Sequence, residues 1–427
     1  MNIYTQLVGE VNTAIDALVK DGFLPEVDKN NIVVEQTKDP SHGDFATNAA
    51  MVLARPAKKN PRDIAEKIVG ELSHSQTLNK VEVAGPGFVN MTVNENRFQD
   101  QLKDILTAPQ TYGESAVGQG QKVLVEYVSA NPTGPVHTGH VRGAVFGDVL
   151  AGLLRKAGYD VDKEYLINDA GRQVKTFVKS VHLRYLQLFG QDVEIPEDAY
   201  PGEYVVDVAK DLKKRDGDKW VNVTDDEQIF DNLRGFCVDT MMADIKDDIG
   251  TLGIEMDTYF SEFDMHQKGD TEKAIESLRE QGLVYEGTLP PPKGKEVEDY
   301  EPVELTLFKS TEFGDDVDRA LYKSDGSYTY FGADASYHWN KVQRGYDKLV
   351  DIFGADHGGT VKRLQAAVKA LTGEKDILDV KLMQMVRFLR GGEPIKMSKR
   401  AGTFVTLRDI LDEVGKDPIR FLFLTRK

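Results

Sequence analysis

The segment between Lys122 and Gly158 constrains the fold of this chain more than any other. It begins with an apolar, β-branched run from Val123 to Val128 and passes through a loop containing glycine and proline into an amphipathic stretch from about Val141 to Ala157. A buried strand joined by a loop to a helix is the repeating unit of a parallel sheet with helices on its faces. The sequence therefore predicts an α/β fold from residue 122 onward.

The first 112 residues have a different pattern. Helical periodicity alternates there with short strand-like runs, separated by glycine and proline. The predicted helices are Tyr4–Val19, Phe45–Ala54 and Pro61–Leu72, and the predicted strands are Ile32–Glu35, Val81–Val83 and Phe88–Val93. We therefore expect a small α+β domain over residues 1–112, followed by a glycine-rich linker over residues 113–121.

Composition limits the classes of function. The 53 basic and 70 acidic residues give a formal net charge of −17, which argues against non-specific binding of nucleic acid by the chain as a whole. A polyanionic partner would need a local reversal of sign, and one occurs between Gln384 and Arg408, where six basic residues accompany one acid. The single cysteine, Cys237, excludes a disulfide framework and a cysteine-based zinc site. The N-terminus lacks a signal-peptide pattern and no long apolar run occurs, so we expect a cytoplasmic protein.

Two of the eight histidines flank a threonine and a glycine in the predicted strand-to-helix loop. A zinc site of the H-E-x-x-H kind needs histidines at i and i+4 on one helical face, whereas His137 and His140 are three residues apart. At a helix N-terminus, backbone N–H groups and the helix dipole favour anions, and Gly139 lets a phosphate or a base approach the backbone. The loop therefore indicates phosphate chemistry, and a purely structural pair of histidines is the alternative at this point.

A second motif, IKMSKR, occupies residues 395–400 after a Gly-Gly turn. Lys396 and Lys399 are point charges suited to neutralising a pyrophosphate leaving group, and the alternative is an ordinary exposed loop. An HxGH loop early in a parallel α/β domain together with a KMSK loop late in it resembles the paired motifs of class I aminoacyl-tRNA synthetases. Five further segments resemble the arginyl-tRNA synthetase family, namely GDFATNAA (43–50), AGPGFVN (84–90), EYVSANPTGP (126–135), LINDAGRQ (166–173) and YPGEYVVD (200–207).

The resemblance implies a Rossmann-type catalytic domain over residues 122–405, with insertions at about 185–310, after an N-terminal domain that contacts tRNA. It also implies that residues 406–427 begin a helical anticodon-binding domain, so that the chain is a truncated form. By this resemblance, the catalytic residues would be His137, His140, Lys396 and Lys399. The same four residues would also bind ATP, together with Pro132, Gly139, Met397 and Ser398.

The resemblance also assigns an amino-acid pocket. Glu126, Ser129 and Asn131 would hold the α-amino and carboxylate end of arginine. Asp334 would accept the guanidinium group, with Tyr330 along the substrate stem, because a planar guanidinium fork binds paired acceptors. Without the resemblance, the alternative is that Asp334 is a helix N-cap and Tyr330 a core aromatic residue.

Asp356 and His357 follow another predicted strand, and we expect them to line the same pocket. The implied reaction joins L-arginine to tRNA(Arg) through an arginyl-adenylate, with ATP arriving as its Mg²⁺ complex. We expect no zinc, no membrane or DNA partner, and a monomer. Three alternatives stay open from the sequence: another class I synthetase, an adenylyltransferase acting on a small metabolite, and a non-catalytic paralogue of a synthetase.

Overall fold

The structure, a computed structural model, describes residues 3–289, 303–373, 375–384, 386, 389–390, 393–394 and 405–425. The chain divides into two compact units, Met1–Gly113 and Glu114–Lys427. The linker at residues 113–121 stays a prediction. Among the described residues, no helix combines the length and the apolar character needed to cross a membrane.

The first unit is a four-stranded antiparallel sheet covered by helices. Its elements are α1 (Ile3–Lys20), β1 (Val34–Gln36), β2 (Phe45–Thr47), α2 (Ala49–Ala57), α3 (Pro61–Leu72), β3 (Leu78–Ala84), β4 (Phe88–Val93) and α4 (Glu95–Thr107). The strand order is β1-β2-β4-β3. The start of α3 has a local cause, because Asn60 caps it by accepting a hydrogen bond from the backbone N–H of Arg62 and Pro61 occupies the first helical position.

The prediction of one helix over Phe45–Ala54 is wrong at its beginning. Phe45 to Thr47 forms β2, which pairs with β4 in the middle of the sheet, and the helix starts only at Ala49. Phe45 and Thr47 are buried while Ala46 between them is partly exposed. This alternation over three residues is too short to stand out against the apolar run of α2 that follows it.

The second unit is built on a five-stranded parallel sheet. Its first half contains β5 (Lys122–Glu126), α5 (Thr138–Lys156), β6 (Asp160–Ile167), α6 (Arg172–Leu188), α7 (Glu203–Asp216), α8 (Asp226–Thr251), β7 (Thr258–Ser261), α9 (Glu262–Gln267) and α10 (Asp270–Glu280). Its second half contains β8 (Val284–Gly287), β9 (Leu305–Phe308), β10 (Arg319–Ala320), α11 (Tyr330–Gln343), β11 (Lys348–Gly354), α12 (Val361–Thr372), β12 (Leu378–Met383), β13 (Leu389–Arg390), β14 (Glu393–Pro394), α13 (Leu407–Val414) and α14 (Lys416–Thr425). Strands β8 to β10 form a separate antiparallel sheet, and β13 pairs with β14.

The strand order of the parallel sheet, β12-β11-β5-β6-β7, determines where a ligand can bind. From β5 the chain continues to one side through β6 and β7, and later returns to the other side through β11 and β12. Beyond the carboxyl ends of β5 and β11, where the order reverses, the connections diverge and leave a crevice. The predicted parallel α/β fold is therefore confirmed, and it places the loops after β5 and β11 at that crevice.

Candidate active site at the carboxyl edge of the sheet

Three carboxylates stand in register on three neighbouring strands. Asp351 of β11 pairs with Glu126 of β5, and Glu126 pairs in turn with Glu164 of β6. Glu126 is 3 % exposed and the other two are fully buried. Buried like charges side by side repel one another strongly, so this row requires cations from another element.

Helix α11 supplies those cations from one face. Lys341 Nζ lies 2.5 Å from Glu126 Oε2 and 2.7 Å from Asp351 Oδ1. Arg344 donates to both oxygens of Glu164, one of them at 2.8 Å. Together these five residues are called the register cluster below. Two side chains adjoin it, since the Tyr337 hydroxyl donates to Glu164 Oε1 at 2.6 Å and His338 Nε2 lies 2.8 Å from Asp351 Oδ2.

Burial and neighbouring charges shift the pKa values of Glu126 and Asp351 in opposite directions. Burial raises the pKa of Glu126, and Lys341 offsets this only in part because Asp351 repels the same charge. Burial also acts to raise the pKa of Asp351, but Lys341 and His338 outweigh it and hold that pKa below its usual range. Of the two carboxylates that share Lys341, Glu126 is thus the weaker acid.

The loop after β5 is strained and is held by the register cluster. Val128 and Ser129 have φ angles of 70° and 39°, a region that costs a non-glycine residue about 1–3 kcal/mol. The Ser129 hydroxyl donates to Glu126 Oε1 at 2.9 Å and accepts the backbone N–H of Leu166 at 3.1 Å. Beyond this turn, Asn131 donates to Gln173 Oε1 at 2.9 Å. The predicted group of Glu126, Ser129 and Asn131 therefore runs from the last residue of β5 into the turn that follows it.

The two motif histidines stand at the start of α5. His137 is the N-cap, and its Nδ1 accepts the backbone N–H of Gly139 at 3.1 Å, which leaves the proton of the neutral ring on Nε2. The His137 and His140 rings stack with centroids 3.9 Å apart. A Cβ on Gly139 would lie 2.9 Å from two ring atoms of His137, so glycine is needed for this ring position. Pro132, earlier in the loop, is buried.

The chain returns to this loop after the lysine-rich motif. The backbone N–H of Leu407 donates to Val136 O at 2.8 Å, and that of Thr138 donates to Val405 O at 3.3 Å. These bonds tie the beginning of α13 to the beginning of α5. The motif residues Lys396, Met397, Ser398 and Lys399 lie outside the described residues. Within the described part of the chain, no group of three or more His, Cys, Asp or Glu side chains is placed to hold a metal ion.

A second acidic position faces the same edge from α11. The N-cap of α11 is Thr329, so the alternative that Asp334 caps a helix is wrong, and Asp334 lies in the second turn instead. Burial raises the pKa of its carboxyl to about 6, and Glu262 and Glu126 act in the same direction, while His338 and Arg363 oppose them. Asp334, Glu262 and Arg363 are called the Asp334 group below.

The remaining predicted pocket residues lie on the surface in this structure. The Tyr330 ring is 79 % exposed at the first position of α11, so the core-aromatic alternative is wrong. Asp356 and His357 lie on a 3₁₀ turn after β11 with exposed side chains, and His357 Nε2 is 3.7 Å from Asp356 Oδ2. The structure does not bring these three side chains together with the register cluster, and their contact with a ligand stays a prediction.

Comparisons with known proteins fit this architecture. A family profile described as "Arginyl tRNA synthetase N terminal domain" matches residues 6–93, and one described as "tRNA synthetases class I (R), catalytic domain" matches residues 101–422. The chain belongs to the arginyl-tRNA synthetase family. An arginine–tRNA ligase of Ruegeria sp. is 54 % identical over all of this chain and 74 % of its own length, and one of Roseobacter denitrificans is 52 % identical over the same shares. The arginyl-tRNA synthetase structure of Thermus thermophilus shares the fold, with a TM-score of 0.64 at 19 % identity over 96 % of this chain and 69 % of that one.

Several side chains at this site of the arginyl-tRNA synthetase fold were not predicted. They are Glu164, Glu262, Lys341, Arg344, Asp351 and Arg363. A signal for some of them was present, because Asp334, Tyr337, His338 and Lys341 follow the spacing of one helical face. A polar stripe of this kind on a helix that also buries Phe331 and Ala335 indicates a buried polar network.

Proposed function

We propose that the chain activates L-arginine with ATP, forming arginyl-adenylate and pyrophosphate, and transfers the arginyl group to the 3′-terminal ribose of tRNA(Arg). The observation that carries this proposal is the charge balance at the carboxyl edge of the sheet. Four carboxylates that influence one another, Glu126, Asp351, Asp334 and Glu262, are accompanied by two permanent cations, Lys341 and Arg363.

The site therefore has an excess of negative charge. With all four carboxylates ionised, they outnumber these two cations by two charges. L-Arginine brings two cationic groups and one carboxylate, so it compensates an acidic site that a neutral or acidic amino acid would leave unbalanced. A buried site that is short of cations thus favours arginine over the substrates of most other class I synthetases.

The substrate groups are assigned from this balance and the family motifs. Asp334 accepts the guanidinium group, and Glu262 on α9 is close enough to contribute a second acceptor. Glu126, Ser129 and Asn131 hold the α-amino and carboxylate end. Tyr330, Asp356 and His357 complete the pocket in the liganded protein, Tyr330 by covering the substrate stem.

The chemical step needs no covalent enzyme intermediate. The arginine carboxylate attacks the α-phosphorus of ATP and pyrophosphate departs. His137 and His140 meet the phosphates from the start of α5, where the helix dipole and backbone N–H groups favour anions. Lys396 and Lys399 neutralise the leaving pyrophosphate, and Mg²⁺ enters bound to ATP as part of the substrate. Pro132, Gly139, Met397 and Ser398 complete the nucleotide site.

The transfer step extends the proposal to tRNA. In a class I enzyme the acyl group passes to the 2′-hydroxyl of the terminal ribose, and residues 1–112 form the domain that contacts tRNA. Residues 406–427 begin the anticodon-binding domain in this scheme. The proposal includes a cytoplasmic, monomeric enzyme that needs no zinc and that has no membrane or DNA partner.

Isothermal titration calorimetry with non-hydrolysable aminoacyl-adenylate analogues tests the proposal without tRNA. We expect the arginyl analogue to bind at least about 100-fold more tightly than the glutamyl and cysteinyl analogues, because buried carboxylates are left unpaired by any other side chain. Equal binding of the three analogues, or preference for the glutamyl analogue, would overturn the assignment of arginine.

A further inference from the structure

Lys341 is a fully buried cation with two carboxylate partners on different strands. Its Nζ lies between Glu126 Oε2 of β5, at 2.5 Å, and Asp351 Oδ1 of β11, at 2.7 Å. These two strands flank the crevice where the strand order reverses. Lys341 therefore links the two sides of the candidate site by a pair of charge-assisted hydrogen bonds.

The effect of Lys341 extends beyond Glu126. While Lys341 holds one oxygen of Glu126, the other oxygen accepts the Ser129 hydroxyl at 2.9 Å. Ser129 is the second of two consecutive residues in the left-handed region, after Val128, and such a turn persists only where its surroundings fix it. A chain of two hydrogen bonds thus runs from Lys341 through Glu126 to the strained turn that leads to Asn131.

We propose that Lys341 is a positioning residue for amino-acid binding, which anchors the Glu126 carboxylate and, through Glu126 and Ser129, fixes the strained turn that presents the α-amino ligands. This inference rests on the proposed function, because it concerns the same amino-acid pocket. It assigns Lys341 no contact with substrate.

The surroundings of Lys341 leave it as the principal cation for Glu126. Besides Glu126 and Asp351 it faces Glu164 of β6, and its Nζ lies 4.4 Å from the centre of the Tyr337 ring on its own helix. His338 contacts Asp351 and acts on Glu126 only at longer range, and Arg344 is engaged by Glu164. Removal of Lys341 would therefore leave Glu126 beside Asp351 without a direct ionic partner.

Three variants separate positioning from simple stabilisation. Lys341→Met removes the cation at similar length. Lys341→Met combined with Asp351→Asn removes one charge of each sign, so it relieves the repulsion without restoring the anchor of Glu126. Lys163→Met is the matched control: Lys163 is 9 % exposed, lies on β6 with Asp148 Oδ1 at 3.6 Å, and neighbours Glu164, whose side chain points to the other face of the strand.

For each variant, the measurements are the thermal midpoint and the dissociation constant of the arginyl-adenylate analogue over a range of pH. We expect Lys341→Met to weaken binding about 10- to 100-fold, as for the loss of a buried charged hydrogen bond. The loss should shrink as pH rises, because Glu126 without its cation ionises only at higher pH. The double variant should regain most of the thermal stability but still bind at least about tenfold more weakly than wild type, whereas Lys163→Met should keep wild-type binding at every pH.

Should Lys341→Met fail to fold, the double variant carries the test alone, because its charges balance while Glu126 stays without its anchor. The expected result is the same loss of binding. Binding by the double variant within about twofold of wild type would overturn the positioning role and leave the proposed function intact. Failure of wild type to prefer the arginyl analogue would overturn the proposed function and this inference together.

Discussion

The register cluster and the Asp334 group contain the same kinds of side chain but differ in how completely their carboxylates are bonded. In the register cluster, all six carboxylate oxygens of Glu126, Glu164 and Asp351 have a polar side-chain partner within the protein, although Arg344 Nε is buried without a hydrogen-bond partner among the described residues. In the Asp334 group, Glu262 Oε2 and Arg363 Nε are buried without a hydrogen-bond partner among the described residues. No hydrogen bond or ion pair of the Asp334 carboxylate occurs within that same part of the chain.

This difference separates a scaffold from a binding site. Buried polar groups are normally hydrogen-bonded, and exceptions in a native protein require an explanation. The carboxylates of the register cluster are all bonded within the protein, so the cluster can hold the strands and the loop after β5 in place. The Asp334 group leaves bonding capacity open next to that scaffold, which is the arrangement expected where a cationic ligand supplies the missing partners.

The largest expected effect is on stability and comes from breaking the register cluster. Arg344→Met should lower the free energy of unfolding by about 3 kcal/mol, because it leaves the buried Glu164 without its ionic partner. Urea unfolding followed by circular dichroism measures it. The control is Lys179→Met, which removes an exposed pair with Asp226 and should change stability by about 0.5 kcal/mol or less. Equal losses in the two variants would contradict the scaffold role.

For the Asp334 group we expect the opposite effect on stability, namely a gain when a charge is removed. The pKa of Asp334 is raised to about 6 in the folded protein, above the ordinary 3.8, so ionisation of this carboxyl destabilises the fold. The loss of stability caused by this ionisation is absent below pH 3.8. It grows as pH rises from 3.8 to about 6 and is fully present above about pH 6. Asp334→Asn should therefore be more stable than wild type above that pH, by on the order of 2 kcal/mol, although the same change should weaken binding of the arginyl analogue.

Thermal unfolding at several pH values checks this prediction. The gain should vanish at pH values below the ordinary aspartate pKa, where both proteins are neutral at this position. Asp239→Asn, an exposed change on α8, is the control and should show no such pH dependence. A destabilised Asp334→Asn protein at high pH would place Asp334 with the scaffold instead of the binding site.

The smallest expected effect concerns the loop that carries His137 and His140, at the start of α5. Gly139→Ala should lower the rate of pyrophosphate exchange about 10- to 30-fold, because the new Cβ displaces the His137 ring while the helix remains intact. Gly152→Ala in the same helix meets nothing within 4 Å and serves as the control. It should keep full exchange activity and gain up to about 1 kcal/mol of stability. Equal exchange rates in the two variants would show that the ring position is unimportant.

The sequence was informative where the determinants are local. The apolar run before the HxGH loop and the amphipathic stretch after it predict β5, α5 and the parallel sheet from neighbouring residues alone. The register cluster could not be predicted in this way, because it depends on which residues of β11, β5 and β6 align across the sheet. Glu164 and Asp351 look like ordinary charged residues until that register is known.

The central claim is that the Asp334 carboxylate is kept unbonded for the guanidinium group of the substrate. The most direct test is the pH dependence of the dissociation constant for the arginyl-adenylate analogue, measured by calorimetry on wild type and Asp334→Asn. In wild type, affinity for the analogue should be constant above pH 6 and should fall by about tenfold per pH unit below it. The Asp334→Asn variant should bind weakly at every pH and should show no such fall in affinity at acid pH. A variant that retains wild-type affinity and the same fall at acid pH would contradict the claim.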